Sequence, residues 1–528
     1  MKNTKLKIAA FLTAAAALCG ALVSCGEKDA ASDGEAMTID WLMYCDGPMD
    51  RNSPIETYFE EMFNVDFNVW YIERSKWDEL LNIRIATGEV PDVFVSTSSK
   101  AFYNYVNQDI LAEVSEEKIR EKAPKIVETV DGYDPDSWKF SKVNGVNYAI
   151  PLYNYNNRFH IASVWRDDWL RNVGINKIPE TLEEFEEAFY KFRNEDPDRN
   201  GIKDTYAISD KGIFNSIFGA FGYLPHDMNT TNAMWREKDG KLVYSGIQPE
   251  MKEALALLAK WYADGIIDPE FLTGENTGGH WSNSQAFLNG RIGYTANGMY
   301  YHVIPPMGDE DKGSSFYTEF KSIAGENASY AIGKPPKGSS EIYGNYGGGT
   351  TSMGGIIFGK QLENDEKKLD KILEIINTIN TDKELYNISV YGFEGEHWDR
   401  GESGVIISRE GFSSSSERAK IGAANIFSLG GLYPIEWRTE DVDDITKKKY
   451  EWADKNTNYA KIENALLVDL DEMTQYSSLL DKTREEVYIE IITGEKPIDY
   501  FDRYVEEFLA GGGQEMIDAA NEWYNTFK

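Results

Sequence analysis

Residues 196–204 have the side-chain types and the spacing of a loop that binds a divalent cation. Such a loop places oxygen-bearing side chains at positions 1, 3 and 5, a glycine at position 6, a backbone carbonyl at position 7 and an acid at position 9. The candidate ligands are Asp196, Asp198, Asn200, the carbonyl of Ile202, and Asp204. Position 12 is Ala207, where a complete EF-hand loop carries a bidentate Glu, so a capped acidic turn is the alternative. We expect a structural calcium ion here rather than a regulatory sensor.

The turn Glu394-Gly395-Glu396-His397-Trp398 holds a second group of chemically active side chains. A carboxylate beside an imidazole can move protons, and it can equally orient the hydroxyls of a bound molecule. The five histidines show no His-x-x-x-His or His-Glu-x-x-His spacing, so the sequence has no zincin motif. Acidic residues are so abundant that counting carboxylate pairs neither supports nor excludes a glycosidase.

The first 24 residues have the pattern of a secretory signal peptide. Three lysines precede an apolar run, Ile8 to Val23, which is shorter than the roughly 20 residues of a membrane-spanning helix. The run leads into Leu22-Val23-Ser24-Cys25, which resembles the lipobox of bacterial lipoproteins. That resemblance implies that Cys25 is acylated, that residues 25–36 form a flexible tether, and that the protein is anchored at the extracytoplasmic face of the cell membrane. An ordinary signal peptide with a chance cysteine is the alternative.

Charge and cysteine content narrow the function classes. The whole chain has a formal net charge of −34, and removal of residues 1–24 takes away three lysines and no acid, which gives −37. Such an acidic protein is unsuited to binding nucleic acid or anionic lipid through a basic surface. Cys19 lies in the signal peptide and Cys25 in the lipobox, so Cys45 has no partner for an internal disulfide. We expect a monomer that is stabilised by its core alone.

Alternating segments after residue 36 predict an α/β fold. Apolar runs at 37–44, 66–72 and 91–95 alternate with amphipathic helical patterns at 54–63 and 75–87. This β-α-β-α-β order predicts a parallel sheet with right-handed crossovers. Further helices are predicted at about 181–193, 249–265, 365–380 and 500–510, the first opened by Thr181 with Glu184 as a capping box.

Short motifs along nearly the whole chain resemble those of carbohydrate-type extracellular solute-binding proteins of ABC importers, in their lipoprotein subfamily. The segment 85–94 is similar to the family's A-x-G-x-x-P-D-V-F, 144–151 to G-K-x-Y-A-I-P, and 391–398 to Y-G-I-E-G-x-H-Y. The resemblance implies a periplasmic-binding-protein type II fold, with two discontinuous α/β lobes around a ligand cleft and hinge crossovers. The implied boundaries are 37–149 plus 336–388 for lobe 1, and 150–335 plus 389–528 for lobe 2 and the C-terminal helices.

The same resemblance implies where the ligand binds. Ser96 and Ser99 follow the third strand at the cleft, and 287–300 matches a motif that closes on a stacking aromatic, here Tyr300, with Tyr301 and Trp281 as neighbours. Aromatic rings suit sugars because each sugar ring has an apolar face flanked by hydroxyls. The motif at 391–398 adds three residues, as ligand contacts or as residues that lock the hinge, namely Glu394, His397 and Trp398. Many relatives carry the shortened calcium loop.

The predicted function is that of a lipid-anchored, non-catalytic receptor that closes on an oligosaccharide and delivers it to the permease of an ABC transporter. Calcium is the expected structural ion, and no catalytic residue or catalytic cofactor is predicted. Two other functions stay open at this point. One is an extracellular glycan-active enzyme with Glu394 or Glu396 as the acid, and the other is a static surface module that binds glycans without a transporter. A non-sugar solute is also compatible with the sequence.

Overall fold

The computed structural model describes residues 36–42, 45–154, 162–209, 214–226, 233–272, 285–296, 300–338, 344, 354–401, 404–429, 432–457, 462–468 and 470–527. The chain divides into Met1–Met37, of which the last two residues are described, and one compact unit, Thr38–Lys528. No helix in the described ranges has both the length and the apolar character that a membrane span requires.

The strands are β1 Met37–Leu42, β2 Val65–Trp70, β3 Val93–Val95, β4 Lys142–Val143, β5 Val146–Asn147, β6 Ala149–Ile150, β7 Ser163–Arg166, β8 Trp235–Lys238, β9 Lys241–Tyr244, β10 Tyr294–Thr295, β11 Tyr330–Gly333, β12 Ile356–Phe358, β13 Trp398–Arg400 and β14 Ile406–Ser408. The α-helices are α1 Pro54–Phe63, α2 Trp77–Ala86, α3 Ser99–Asn107, α4 Glu116–Lys122, α5 Pro124–Tyr133, α6 Asp167–Asn172, α7 Leu182–Asn194, α8 Phe214–Ala220, α9 Pro249–Ala263, α10 Gln285–Leu288, α11 Ser315–Ala324, α12 Glu366–Thr381, α13 Lys383–Tyr391, α14 Ser415–Lys420, α15 Asp444–Thr457, α16 Asp471–Ile492, α17 Tyr500–Phe508 and α18 Gln514–Phe527. Shorter 3-10 turns include Tyr300–His302 and Ile435–Thr439.

A five-stranded sheet, which we call the first sheet, has the order β2-β1-β3-β12-β6. β1 runs parallel to β3 with Trp41 opposite Val93, as the alternating pattern predicts. β12 is antiparallel to both β3 and β6, so β6 runs in the same direction as β3. The carboxyl ends of β1, β3 and β6 therefore lie at one edge of this sheet.

Local sequence signals set the helix starts. Ser53 caps α1 and Thr181 caps α7, each in a capping box closed by the Glu three residues later. Such a box satisfies amide groups at both the N-cap and N3 positions, which otherwise lack helical partners. The predicted starts of these two helices are confirmed.

A second sheet has the order β10-β7-β11, with β7 antiparallel to both neighbours. Trp165 of β7 is fully buried, and its ring packs edge-on against Phe185 of α7 at 4.7 Å between centroids. On the other side it lies 4.7 Å from the ring of Tyr294 in β10. This aromatic packing joins the sheet to the helix that the capping box at Thr181 begins.

The segment after α13 packs on the first sheet through Ile426 and Phe427. Trp41 in β1 donates its indole N–H to the carbonyl of Ile426 at 2.8 Å. The Phe427 ring lies 4.9 Å from Phe67 in β2 and 5.3 Å from Phe59 in α1. The apolar faces of β1, β2 and α1 are thus covered by a segment, around Ile426 and Phe427, that follows them in the sequence by more than 350 residues.

The C-terminal helices pack on the β8–β9 hairpin and on α9. The contact centres on a buried polar triad, Tyr244, Asp481 and Arg484. The Tyr244 hydroxyl donates to Asp481 Oδ1 at 2.8 Å, and Arg484 Nη1 donates to Asp481 Oδ1 and to the Tyr244 hydroxyl, each at 2.7 Å. Arg484 is 1% exposed and Asp481 is 5% exposed. A buried guanidinium needs this carboxylate close by, because removal from water penalises an unpaired charge.

Candidate functional site

The edge of the first sheet at the carboxyl ends of β1, β3 and β6 is the candidate site, because open α/β sheets bind ligands beyond these ends. Ser96 follows β3 directly and is half-buried. Its backbone N–H donates to the carbonyl of Gly355 at 2.9 Å, and its hydroxyl accepts the Gly355 N–H at 3.0 Å. The hydroxyl therefore fixes the junction between β3 and β12, and its own O–H can still point to a ligand.

Two glycines permit this close approach of backbones. Gly354 and Gly355 have φ of +94° and +130°, values that side chains disfavour. A Cβ on Gly354 would lie 2.2 Å from Ser96 Oγ, and one on Gly355 would lie 2.1 Å from the carbonyl oxygen of Ile150. Both glycines directly precede β12, so they permit the close approach of this strand to Ser96 and Ile150.

Ser99 lies close to Ser96 along the chain, as the first residue of α3, and it is half-buried. Ser98, rather than Ser99, caps that helix by accepting the Ala101 N–H at 3.1 Å. The hydroxyl of Thr97 donates to Asp78 at 3.1 Å on an exposed surface. Contact of Ser96 and Ser99 with a ligand stays a prediction.

The aromatic candidates near the second sheet follow the carboxyl end of β10. Tyr300 and Tyr301 belong to the 3-10 turn Tyr300–His302, and the Tyr301 side chain is 48% exposed. The Tyr301 ring packs edge-on against the His302 ring at 4.4 Å. The Tyr300 side chain and the whole of Trp281 lie outside the described residues, so their contact with a ligand stays a prediction.

The turn at 394–398 is held by its own backbone. His397 Nδ1 accepts the Phe393 N–H at 2.9 Å, and the Trp398 indole donates to the carbonyl of Gly392 at 2.7 Å. Both side chains are buried, and burial lowers the pKa of His397. Glu394 is exposed and lies 3.8 Å from the Arg400 guanidinium. This arrangement favours the locking alternative over ligand contact for His397 and Trp398.

An aromatic cluster that the motifs did not identify lies beside the first sheet. We call the rings of Tyr133, Tyr153, Tyr386, Tyr433 and Trp437 the aromatic wall. Tyr153 stacks on Tyr133 at 4.5 Å and 7° between planes, and Tyr386 lies 4.8 Å from Tyr433. The Tyr133 hydroxyl donates to the carbonyl of Tyr433, which joins these pairs. The aromatic segment at 432–437 was the one local signal for it.

Two pockets of about 250 and 530 Å³ lie elsewhere and contain none of the predicted ligand residues. The smaller is lined by β11, α11 and the Trp452 side chain of α15. The larger lies beside the β4–β5 hairpin and Lys118. Neither pocket borders the carboxyl-end edge, so we keep that edge as the candidate site.

The predicted calcium loop is a tight acidic turn. Asp196 accepts the N–H groups of Asn200 and Gly201 at 3.1 and 3.0 Å, and the Asn200 amide donates to Asp198 at 2.8 Å and to Asp204 at 3.3 Å. Burial, and next the neighbouring carboxylates, raise the pKa of Asp198. The Ile202 side chain is 61% exposed.

The described residues contain no group of three or more His, Cys, Asp or Glu side chains already placed to hold a metal. Three acidic side chains gathered around one amide nevertheless fit the donor set that calcium prefers, because a cation would relieve their mutual repulsion. Thr205, next to Asp204, is buried and donates its hydroxyl to the Phe192 carbonyl at 2.7 Å.

Comparisons with known proteins agree with the motifs. Residues 57–368, more than half of the chain, match the model of the bacterial extracellular solute-binding protein family. The polygalacturonan/rhamnogalacturonan-binding protein YtcQ of Bacillus subtilis is 22% identical over 97% of each chain. Lipoprotein LipO of Bacillus subtilis is 25% identical over 92% of this chain and 91% of its own.

Solved structures show the fold. A solute-binding protein of Bifidobacterium longum infantis, described as HMO-binding and ABC-transporter-associated, superposes with a TM-score of 0.62 at 14% identity, over 94% of this chain and 99% of that one. An EF-hand mutant of FusA, an ABC-transporter substrate-binding protein of S. pneumoniae, superposes with a TM-score of 0.53 at 16% identity, over 93% and 99%. The predicted α/β fold of two lobes around a cleft is confirmed, and the chain belongs to the bacterial extracellular solute-binding protein family.

Proposed function

We propose that this protein is the lipid-anchored receptor of an ABC importer, which captures an oligosaccharide between its lobes and delivers it to the membrane permease. The observation that carries the proposal is the carboxyl-end edge of the first sheet, where Ser96 follows β3 and Tyr153 of the aromatic wall follows β6. The chain's membership of a solute-binding protein family supports it. Hydroxyls and aromatic faces are the two surfaces that a sugar ring requires. Relatives named for oligosaccharide or polysaccharide binding support the same ligand class.

Capture requires no turnover. A solute that touches both lobes binds the closed conformation more tightly than the open one, so binding shifts the population towards closure. The closed form is then the state that the permease recognises. The turn locked by His397 and Trp398 gives the region next to α13 a fixed shape during this movement.

We also propose that the turn at 196–204 binds calcium for stability. The raised pKa of Asp198 and the convergence of Asp196, Asp198 and Asp204 on Asn200 support a cation there, as does the EF-hand named for the FusA relative. Bound calcium raises the melting temperature, because a ligand of the folded state alone stabilises it.

Acylation of Cys25 would hold the receptor at the extracytoplasmic face of the membrane. In cells, a Cys25→Ser variant is expected in the soluble fraction or the medium, while the parent chain stays with membranes. A variant that stays with membranes would contradict the anchor.

The experiment is a thermal-shift screen of residues 26–528 against an oligosaccharide panel, with recovery of each sugar afterwards. A ligand at a hundredfold above its Kd adds about 2.7 kcal/mol to the free energy of unfolding, which raises the melting temperature visibly. A sugar that shifts the melt and is recovered intact supports the receptor. A shortened sugar identifies a glycan-active enzyme instead, and unchanged melting with every sugar contradicts an oligosaccharide ligand.

A further inference from the structure

We infer that the smaller of the two pockets is a second binding site, which takes a small aromatic carboxylate rather than a sugar. We call it the side pocket, and its walls are Tyr317 and Lys321 of α11, Trp452 of α15 and residues 330–332 of β11. None of the residues predicted to bind the oligosaccharide lines it, so the inference goes beyond the proposed function.

The side pocket lies along the outer edge of the second sheet. β11 is the last strand in the described order β10-β7-β11. Four consecutive residues, 329–332, line the pocket. Side chains alternate between the two faces of a strand, so consecutive residues share a pocket where it runs along the edge of that strand. The pocket therefore differs in position from the carboxyl ends of the strands, where we place the oligosaccharide.

The volume of the side pocket limits the size of its ligand. At about 250 Å³ it is smaller than the roughly 300–1,000 Å³ of sites that enclose drug-sized molecules. Such a volume suits one ring with a short substituent, and it is too small for a chain of sugar rings.

Aromatic rings form the apolar part of the side pocket. Tyr317 and Trp452 are both half-buried. The Tyr330 ring lies 6.0 Å from Tyr317 and packs edge-on against the buried Phe320 ring at 5.2 Å, while its hydroxyl donates to the Val303 carbonyl at 2.8 Å. Because these contacts fix Tyr330 before a ligand binds, an aromatic ring can pack on this wall at little cost in side-chain entropy.

Lys321 supplies the positive charge of the side pocket. Its ammonium group donates to the carbonyls of Glu326 and Ala328 at 2.8 and 2.7 Å, and it lies 5.9 Å from the centre of the Tyr317 ring. An ammonium group has three donors, and both of these acceptors are uncharged. One N–H and the whole positive charge are thus available to a carboxylate, and a hydrogen bond between two charged groups is the stronger kind.

Backbone N–H groups of β11 add donors at the same edge. The Ser329 carbonyl accepts the Asp167 N–H at 3.0 Å, so residue 329 is a hydrogen-bonded position of the antiparallel pair with β7. Such positions alternate with positions whose backbone groups point away from the partner strand. The N–H groups of Tyr330 and Ile332 accordingly point away from β7, towards the edge along which the side pocket lies. Carboxylate oxygens accept hydrogen bonds from donors of this kind.

The position of Lys321 also argues against an organic cation as the ligand. Three aromatic residues, Tyr317, Tyr330 and Trp452, could surround a cation through their ring faces. The Lys321 ammonium group already lies beside one of these rings, and it would repel a second positive charge in so small a volume.

The test is calorimetric titration of the 26–528 protein with three compounds that separate charge from ring. N-acetyl-L-phenylalanine has both, its amide keeps the ring without the charge, and N-acetyl-L-leucine keeps the charge without the ring. We expect the first to bind at least tenfold more tightly than either of the others. Phenethylammonium, an aromatic cation, is expected to bind more weakly than the acid.

Variants of the parent protein assign the preference to residues of the side pocket. Lys321→Met is expected to remove the preference for acid over amide, whereas Lys321→Arg keeps the charge and should keep the preference. Trp452→Ala should weaken the acid about tenfold or more. Lys312→Met, at an exposed lysine just before α11, is the matched control and should bind as the parent does.

The outcomes that overturn the inference need only the parent protein. Equal binding of acid and amide would overturn the role of the charge, equal binding of the two acids would overturn the role of the ring, and tighter binding of phenethylammonium would overturn the anionic class. Absence of binding by all four compounds, or a Lys321→Met variant that keeps the preference, would overturn the site. No oligosaccharide enters this titration, so its failure leaves the proposed function standing.

A peptide that ends in an aromatic residue has the same chemistry as a free aromatic acid. The tetrapeptide Ala-Ala-Ala-Phe with a free carboxyl terminus distinguishes the two sources. Tighter binding than N-acetyl-L-phenylalanine would identify a peptide terminus that extends along β11, and equal or weaker binding would identify the free acid.

Discussion

Removing the Asp481 carboxylate is expected to destabilise the folded protein, because it leaves the buried Arg484 without its counter-charge. In Asp481→Ala the Arg484 guanidinium, 1% exposed, loses its 2.7 Å partner, and the Tyr244 hydroxyl loses its acceptor at 2.8 Å. Breaking a buried pair on one side costs about 3–5 kcal/mol, because the remaining charge stays buried and uncompensated. With a urea m-value of about 3 kcal/mol/M, the unfolding midpoint falls by about 1–1.7 M.

The double variant Asp481→Leu, Arg484→Met distinguishes this cause from a general packing defect. It removes both charges and fills the same space with apolar atoms, so we expect it to recover most of the lost stability. An exposed ion pair serves as the control. Arg503 and Glu507 are 68% and 47% exposed, and Arg503→Met is expected to leave the midpoint unchanged.

Urea unfolding followed by circular dichroism gives the free energies for a double-mutant cycle. A loss of less than about 1 kcal/mol in Asp481→Ala would refute a buried, uncompensated charge at Arg484, because a broken buried pair costs more than that. A double variant as unstable as the sum of its single variants would refute it equally, since the two residues would then act independently.

Three further predictions concern the candidate site and its surroundings. Gly355→Ala is expected to lower the free energy of unfolding by about 1–3 kcal/mol from backbone strain alone, and to weaken sugar binding because its Cβ would meet the Ile150 carbonyl. Gly145→Ala, with φ of +79° and open space around its Cβ, is the control in melting and titration. Equal behaviour of the two variants would contradict a steric clash at Gly355. Asp198→Asn is expected to abolish the calcium-dependent rise in melting temperature. Since the pKa of Asp198 is raised, the calcium-free parent should gain stability as the pH falls towards that pKa and lose it as the pH rises. A variant with the same pH profile as the parent would contradict the role of this carboxylate. Because the pKa of His397 is lowered, its stabilising contribution is present above the unfolded pKa, about 6.5, and is lost on acidification. His397→Leu is expected to lower the free energy of unfolding at neutral pH by about 1 kcal/mol, because the Phe393 N–H loses its acceptor. In a pH series of melts, this variant should lack the acid-dependent loss of stability that the parent shows.

Local parts of the fold could be predicted because their causes are local. Ser53 and Thr181 each capped a helix through a Glu three residues away, and apolar periodicity marked the strands that became β1 and β3. The family motifs added the expectation of two lobes around a cleft, since they recur along the chain.

Long-range packing could not be predicted in this way. Nothing near Ile426 indicates that its carbonyl accepts a hydrogen bond from Trp41, 385 residues earlier. Motifs alone therefore do not indicate that the segment after α13 covers the first sheet. The aromatic wall brings Tyr133 and Tyr433 together across 300 residues, so each tyrosine alone carried no signal. For His397, the motif could not tell an imidazole that binds a ligand from one that accepts a backbone N–H.

The hydrogen bond between Trp41 and Ile426 also has a consequence for biogenesis. At a synthesis rate of about 5–20 residues per second, the partner of β1 appears roughly 20–80 s after β1 itself. During that time the apolar faces of β1 and α1 lack the cover that Ile426 and Phe427 give them. This chain cannot complete the core around β1 until its last fifth is made, and apolar surface that is exposed in the meantime is prone to aggregation. Chains that terminate before residue 426 are expected to leave this core open and to be cleaved more readily by proteases.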